Sequence, residues 1–180
     1  MASLSMRPWL VGETLVRHGL TFRPITDDDH PFLFQLYAST REKELETLPW
    51  SAVQKQAFLQ FQFKAQHTFC QEQFKDADFW VIEQAGASIG RLYIDRRADE
   101  IRIIDIALTP TYCDRGIGAA LLNTVLAAAQ ANSQPVTIHV ERNNRALNLY
   151  RRLGFVQKGE ESVYYLMVWT PSIHNTNLGD

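Results

Sequence analysis

The order of its elements makes the chain an α+β domain on one mixed sheet of about seven strands, and three observations predict it. Helical spacing of apolar residues dominates before residue 75 and gives way to strand-like runs from Asp78. Three short strand patterns then follow one another across turn signals, and strand and helix patterns alternate afterwards. With 180 residues, 46% of them apolar, the chain can bury one sizeable core, and neither a repeat nor a linker divides it. The expected domain covers 13–170, with residues 1–12 and 171–180 as flexible tails.

Leu15 to Ile25 mixes Leu, Val, Thr and Phe around Gly19 and reads as a strand, bulged or bent at the glycine. Thr26 and Asp27 to Asp29 can accept from the free amides of a first helical turn, and Pro31 is tolerated there, so a helix should start near Asp28. Its apolar face is Phe32, Leu33, Leu36 and Tyr37. Ser51 should cap a second helix to about Phe74, whose apolar stripe is Val53, Ala57, Phe58, Phe61, Ala65, Phe69 and Phe74. Trp50 and a loop over 39–50 are candidates for a substrate lid.

From Asp78, FWVIEQ, GASIGRLYID and EIRIIDIALTP form an antiparallel meander. Ile117 to Ala131 is helical and apolar nearly all round, PVTIHVE is a buried strand, Arg145 to Arg152 a short helix, and FVQKGE with SVYYLMVW a terminal hairpin. SVYYLMVW, taken as an exposed edge strand, leaves a homodimer open.

A formal charge of -2, with 18 Lys and Arg against 20 Asp and Glu, removes the general electrostatic case for nucleic acid or an anionic membrane. Cys70 and Cys113 stand 43 positions apart without a CxxC or Cys/His cluster, so no disulfide framework or metal site is expected. No signal peptide or membrane-spanning run is seen, and a soluble cytoplasmic protein is expected.

The chemistry centres on CDRGIGAALL at 113–122. Gly116 and Gly118 lie where the strand ending at Leu108 gives way to the helix from Ile117, and a helix N-terminus offers free amides and a positive dipole end to an anion. Arg115 adds a mobile charge. A P-loop would need a lysine after Gly118, and a dinucleotide fingerprint would need a third glycine in a parallel βαβ unit; both fail here. A tight turn at a helix start is the plain alternative.

The run IALTPTYCDRGIG resembles the [Q/R]xxGx[G/A] signature of the GNAT superfamily, the Gcn5-related N-acyltransferases, placed after a hydrophobic strand and a proline. VERNNRALNLYRRLGF is similar to that family's NxxAxxLYxxxGF stretch, in register at Asn143, Ala146, Tyr150, Gly154 and Phe155. The resemblance covers roughly Leu20 to Trp169 and implies the GNAT acyl-CoA fold with helices on both faces of the sheet.

It also implies acetyl-CoA as cosubstrate. The pyrophosphate would lie on Cys113, Asp114, Arg115, Gly116, Ile117, Gly118 and Ala119, and the pantetheine in a splay beside the main chain of Ile106, Ala107 and Leu108, next to Asn143, Ala146 and Tyr150. Tyr150 takes the family's proton-donor position. Cys113 departs from the usual Gln or Arg, leaving the grip to backbone amides and Arg115. Asn143 doubles as a candidate helix cap, and one of Arg142, Arg145, Arg151 and Arg152 as a partner for the 3'-phosphate.

The base for the amine stays open among Asp105, His139 and Glu141. Strict alternation would put Asp105 on one face with Ile101, Ile103 and Ala107, opposite Arg102, Ile104, Ile106 and Leu108. An acid there either acts on the amine through water or is a paired structural carboxylate. The leading expectation is an N-acetyltransferase for a primary amine of a small molecule or protein. The alternative is a non-catalytic acyl-CoA-binding sensor or interaction module on the same fold.

Overall fold

A computed structural model describes residues 12–172. The expected tails lie outside them except for Gly12, Pro171 and Ser172. Gly12 accepts from the amides of Leu15 and Val16, and Ser172 exchanges two 2.9 Å hydrogen bonds with the side chain of Gln130.

The stretch from Leu15 is not one strand. Glu13–Arg17 forms a helical turn, α1, and the chain reverses at Gly19 (φ 62°) into β1, Leu20–Pro24. Leu15 is buried in the main core, so its apolar character serves helix packing rather than the sheet. Thr26 and Asp29 close a reciprocal capping arrangement over a 3-10 turn, and α2 follows over His30–Glu46. The expected loop over 39–50 is therefore mostly helix, and only residues 47–51 connect it to α3, Ala52–Gln73, capped by Ser51.

The meander forms as expected: β2 is Asp78–Gln84, β3 Ala87–Arg96 and β4 Ile101–Leu108. Then come α4 (Ile117–Ala131), β5 (Val136–Glu141), α5 (Leu147–Arg152), β6 (Val156–Glu161) and β7 (Tyr164–Trp169). The seven strands form one sheet in the order β1-β2-β3-β4-β5-β7-β6. All pairs are antiparallel except β4 with β5, where α4 makes the crossover. SVYYLMVW is not an edge: β7 pairs with β5 on one side and β6 on the other, because the terminal hairpin folds back inside its own first strand.

The main core joins α1, α4 and α5 to one sheet face through residues such as Leu92, Ile94, Ile103, Leu121, Val125 and Ile138. A second, smaller core of Leu33, Tyr37 and Phe63 joins α2 to α3. The α3 stripe expected to be buried faces outward, with Val53 76%, Phe61 73% and Phe69 58% exposed. Aromatic residues lie on both sides of this helix, and the inward side is the one carrying Leu59, Phe63 and Cys70.

Candidate active site

β4 is two different strands end to end. Its first residues pair with β5 through Ile101↔Val136, Arg102↔Thr137 and Ile103↔Ile138, and there the pairing stops. Residues 105–108 keep β3 as neighbour on the other edge, so the β5-side amides and carbonyls of 104–108 form an open main-chain edge. At the point of parting β4 bulges: Tyr93 pairs with Asp105 but Ile94 with Ile103, leaving Ile104 as an extra residue.

The bulge overturns strict alternation along β4. Cross-strand partners share a face, so Ile103, Ile106 and Leu108 stand with Ile94, Leu92 and Gly90 above the main core. Asp105 and Ala107 stand on the opposite face, opposite Tyr93 and Arg91. Gly90 makes this register possible, since a Cβ there would lie 2.5 Å from the Ala107 carbonyl oxygen.

Beyond the open edge, a 3-10 turn over Pro110–Tyr112 leads through Cys113 and Asp114 (φ 59°) to Gly116 (φ 79°), the N-cap of α4. The Ala120 amide bonds to the Gly116 carbonyl at 3.0 Å. Among the described residues, those of Ile117, Gly118 and Ala119 have no acceptor, as expected of a helix start without a capping side chain. The positive φ accounts for glycine at 116, whereas a Cβ at 118 would meet only Leu149 Cδ2 at an ordinary 3.6 Å. Packing therefore does not call for glycine at 118.

Cys113 points its thiol at the Leu108 and Thr109 carbonyls, 3.7 and 3.6 Å away, bracing the loop against the end of β4. Arg115 lies over the Tyr112 ring at 5.2 Å. Of the four clustered arginines, Arg145 adjoins the loop, 3.3 Å from the Asp114 carboxylate, whereas Arg142 sits over Tyr165 and pairs with Glu160. Asn143 is not the cap of α5: Asn144 accepts from the Ala146 amide at 2.8 Å, and Asn143 instead donates to Glu44 on α2 at 3.4 Å.

Tyr150 is 3% exposed, packed edge-on against Phe155. Burial first, and then the negative charge of Asp105, push its phenol well above the usual tyrosine range, so it stays protonated at neutral pH. Asp105 thus lies near enough to Tyr150 for its charge to be felt.

The three base candidates separate. Glu141 is held by Arg41 from α2 through two hydrogen bonds of 2.6 and 2.8 Å, which occupy both its oxygens. His139 accepts at Nδ1 from Arg102, 3.0 Å away, and burial with that positive neighbour pulls its pKa down. Asp105 Oδ2 lies 2.5 Å from the Arg91 guanidinium, and its side chain keeps a quarter of its surface exposed.

Arg91 and Arg41 were not legible as site residues. The available signal for Arg91 was an arginine within the apolar strand GRLYID, one strand away from an equally unexplained acid in IRIIDIAL.

Residues 75–157 match the model of the acetyltransferase (GNAT) domain. This stretch is similar to the GNAT acetyltransferase domain. Solved structures of the same fold include the PaiA N-acetyltransferase of Thermoplasma acidophilum in complex with coenzyme A. It has a TM-score of 0.63 at 15% identity, over 84% of this chain and 98% of that one. The ribosomal-protein-S18-alanine N-acetyltransferase of Escherichia coli follows at 0.56 and 20% identity, over 89% and 99%. A protein from Corynebacterium glutamicum, described as histone acetyltransferase HPA2 and related acetyltransferase, gives 0.60 and 21%, over 87% and 99%. At these identities the likeness is one of fold. No curated protein matches the chain. Among the described residues no helix is long and apolar enough to cross a membrane.

Proposed function

We propose that this chain is a GNAT acetyl-CoA-dependent N-acetyltransferase for a primary amine of a small molecule or a protein. The observation that carries the proposal is the open edge of residues 104–108 beside the acceptor-free amides of α4. The residues fit the cosubstrate. An open strand edge suits the amide groups of pantetheine, and a helix start with a ligand-facing glycine suits a pyrophosphate. Ile106, Ala107 and Leu108 would hold the first, and the amides of Ile117 to Ala119 with Arg115 the second. Arg145, 3.3 Å from Asp114 of the loop, would meet the 3'-phosphate.

Bound acetyl-CoA supplies a thioester whose C–S bond breaks as the amine nitrogen bonds to the acetyl carbon. Asp105 takes the proton that the amine loses, through a water, at the oxygen Arg91 leaves free. Tyr150 Oη gives its proton to the departing sulfur. The two transfers help each other: the Asp105 charge opposes a Tyr150 phenolate, and a protonated Asp105 no longer does. GNAT neighbours described as acting on a protein alanine or as histone acetyltransferases support a protein amine as one acceptor class for this fold.

The test is calorimetric titration of acetyl-CoA and CoA, followed by free-thiol release over a panel of small-molecule and peptide amines. Binding should be lost in Gly118→Val, and Tyr150→Phe should bind normally while turnover falls about 10²-fold. Binding without thiol release over the whole panel would make the chain an acyl-CoA sensor. No binding would refute the cosubstrate.

A further inference from the structure

Arg91 is the most deeply buried charge in the described chain, its side chain 4% exposed in the middle of β3. Among the described residues its guanidinium has one carboxylate partner, Asp105, and its Nε has no hydrogen-bond partner. The neighbouring Tyr93 hydroxyl, buried with its ring 5.3 Å from the guanidinium carbon, has none either. These groups occupy two alternate rungs of one ladder, Arg91↔Ala107 and Tyr93↔Asp105, on one face of the sheet just beyond the Ile104 bulge.

As a contribution to stability this is poor design. Desolvating an incompletely paired buried arginine carries a cost that a well-packed apolar residue would avoid. Val81, in register with Arg91 on β2 and fully buried, shows that this layer accepts an aliphatic side chain. What the arginine achieves is placement. The bulge turns Asp105 away from the Ile103 core face, and Arg91 then holds Oδ2 at a fixed point beside the open edge.

We propose that Arg91 is a positioning residue for acetyl transfer: with the β4 bulge it fixes the Asp105 carboxylate so that its second oxygen meets the acceptor's proton. The inference rests on Asp105 being the base. The charged and titratable groups that face Asp105 are Arg91 and Tyr93 from β3, Cys70 from α3 and Tyr150 from α5, with His67 of α3 next to Arg91.

The experiment compares Arg91→Met, Arg91→Lys and Asp105→Asn in the full chain. The readouts are acetyl-CoA affinity, and kcat and KM on the best amine of the panel above. Arg91→Met should lower kcat about tenfold or more at neutral pH with acetyl-CoA affinity and the KM for the amine kept. Arg91→Lys, which keeps the charge and guards against a methionine variant that fails to fold, should restore most of kcat. Unchanged kcat in both variants, while Asp105→Asn is inactive, overturns the role of Arg91 alone. Full turnover in Asp105→Asn overturns the base assignment beneath it, and the positioning role with it.

Discussion

Two carboxylates flank the gap between β4 and β5, and each is held by an arginine. Glu141 on β5 meets Arg41 with both oxygens; Asp105 on β4 meets Arg91 with one. Charge and burial are comparable, since the two acid side chains are 22% and 25% exposed. The difference is saturation. A carboxylate with both oxygens engaged in a bidentate pair has its hydrogen-bonding capacity committed to structure. One with a free oxygen retains somewhere to put a proton.

The sharpest way to break this contrast is to neutralise both acids without changing their shape. Asp105→Asn should lower kcat about 10²- to 10⁴-fold with little change in acetyl-CoA affinity. Glu141→Gln should leave turnover within about threefold and lower stability by about 1–3 kcal/mol, because Arg41 then keeps its buried position with a weaker partner. Thiol-release kinetics and denaturant unfolding check the two sides, and the reverse pattern would make Glu141 the base.

This contrast lay beyond sequence reasoning for a physical reason. The helix 117–131, the meander and the paired motifs around Gly116 and Tyr150 were legible because local spacing and chain order specify them. The bulge was not: Ile103 and Ile104 are adjacent and equally apolar, so nothing in their types marks the place where alternation slips and Asp105 changes face. The outward face of α3 was hidden likewise, because Phe61 and Phe69 are as apolar as Phe63, and only the position of α2 decides which side is covered. Strand Leu15 to Ile25 failed at Gly19, where a positive φ ends a helical turn instead of bending a strand.

A third pair extends the series away from the site. Arg23 makes two 2.7 Å bonds to Asp29 and a third of the same length to Glu83. The Arg23 guanidinium, by hydrogen bonding, holds the Asp29 carboxyl at about 2, below its ordinary 3.8. A lowered carboxylate contributes stability that is complete above its unfolded value and disappears as pH falls through the folded one. The contribution should therefore be full above about pH 5 and fade towards pH 2. Because Arg23 is about a third exposed, solvent screening leaves it worth about 1–2 kcal/mol. Asp29→Asn should remove that part of the acid limb in unfolding experiments and leave thiol release at neutral pH unchanged.

The smallest effect belongs to Arg97, which bonds Asp95 at 2.8 Å and Glu100 at 2.9 Å at the tip of the β3–β4 hairpin. It is about as exposed as Arg23, 39% against 36%, but it makes one bond to each acid where Arg23 makes two to the buried Asp29. Arg97→Ala should cost about 1 kcal/mol or less, and 0.5 M salt should remove most of even that difference. The same salt should leave the Arg91–Asp105 pair intact, because screening ions do not reach an arginine that is 4% exposed. A salt titration of Arg97→Ala beside Arg91→Met thus separates distance from burial. If the Arg91→Met effect on kcat faded with salt as the Arg97→Ala effect on stability does, Asp105 would be held by long-range attraction rather than by contact.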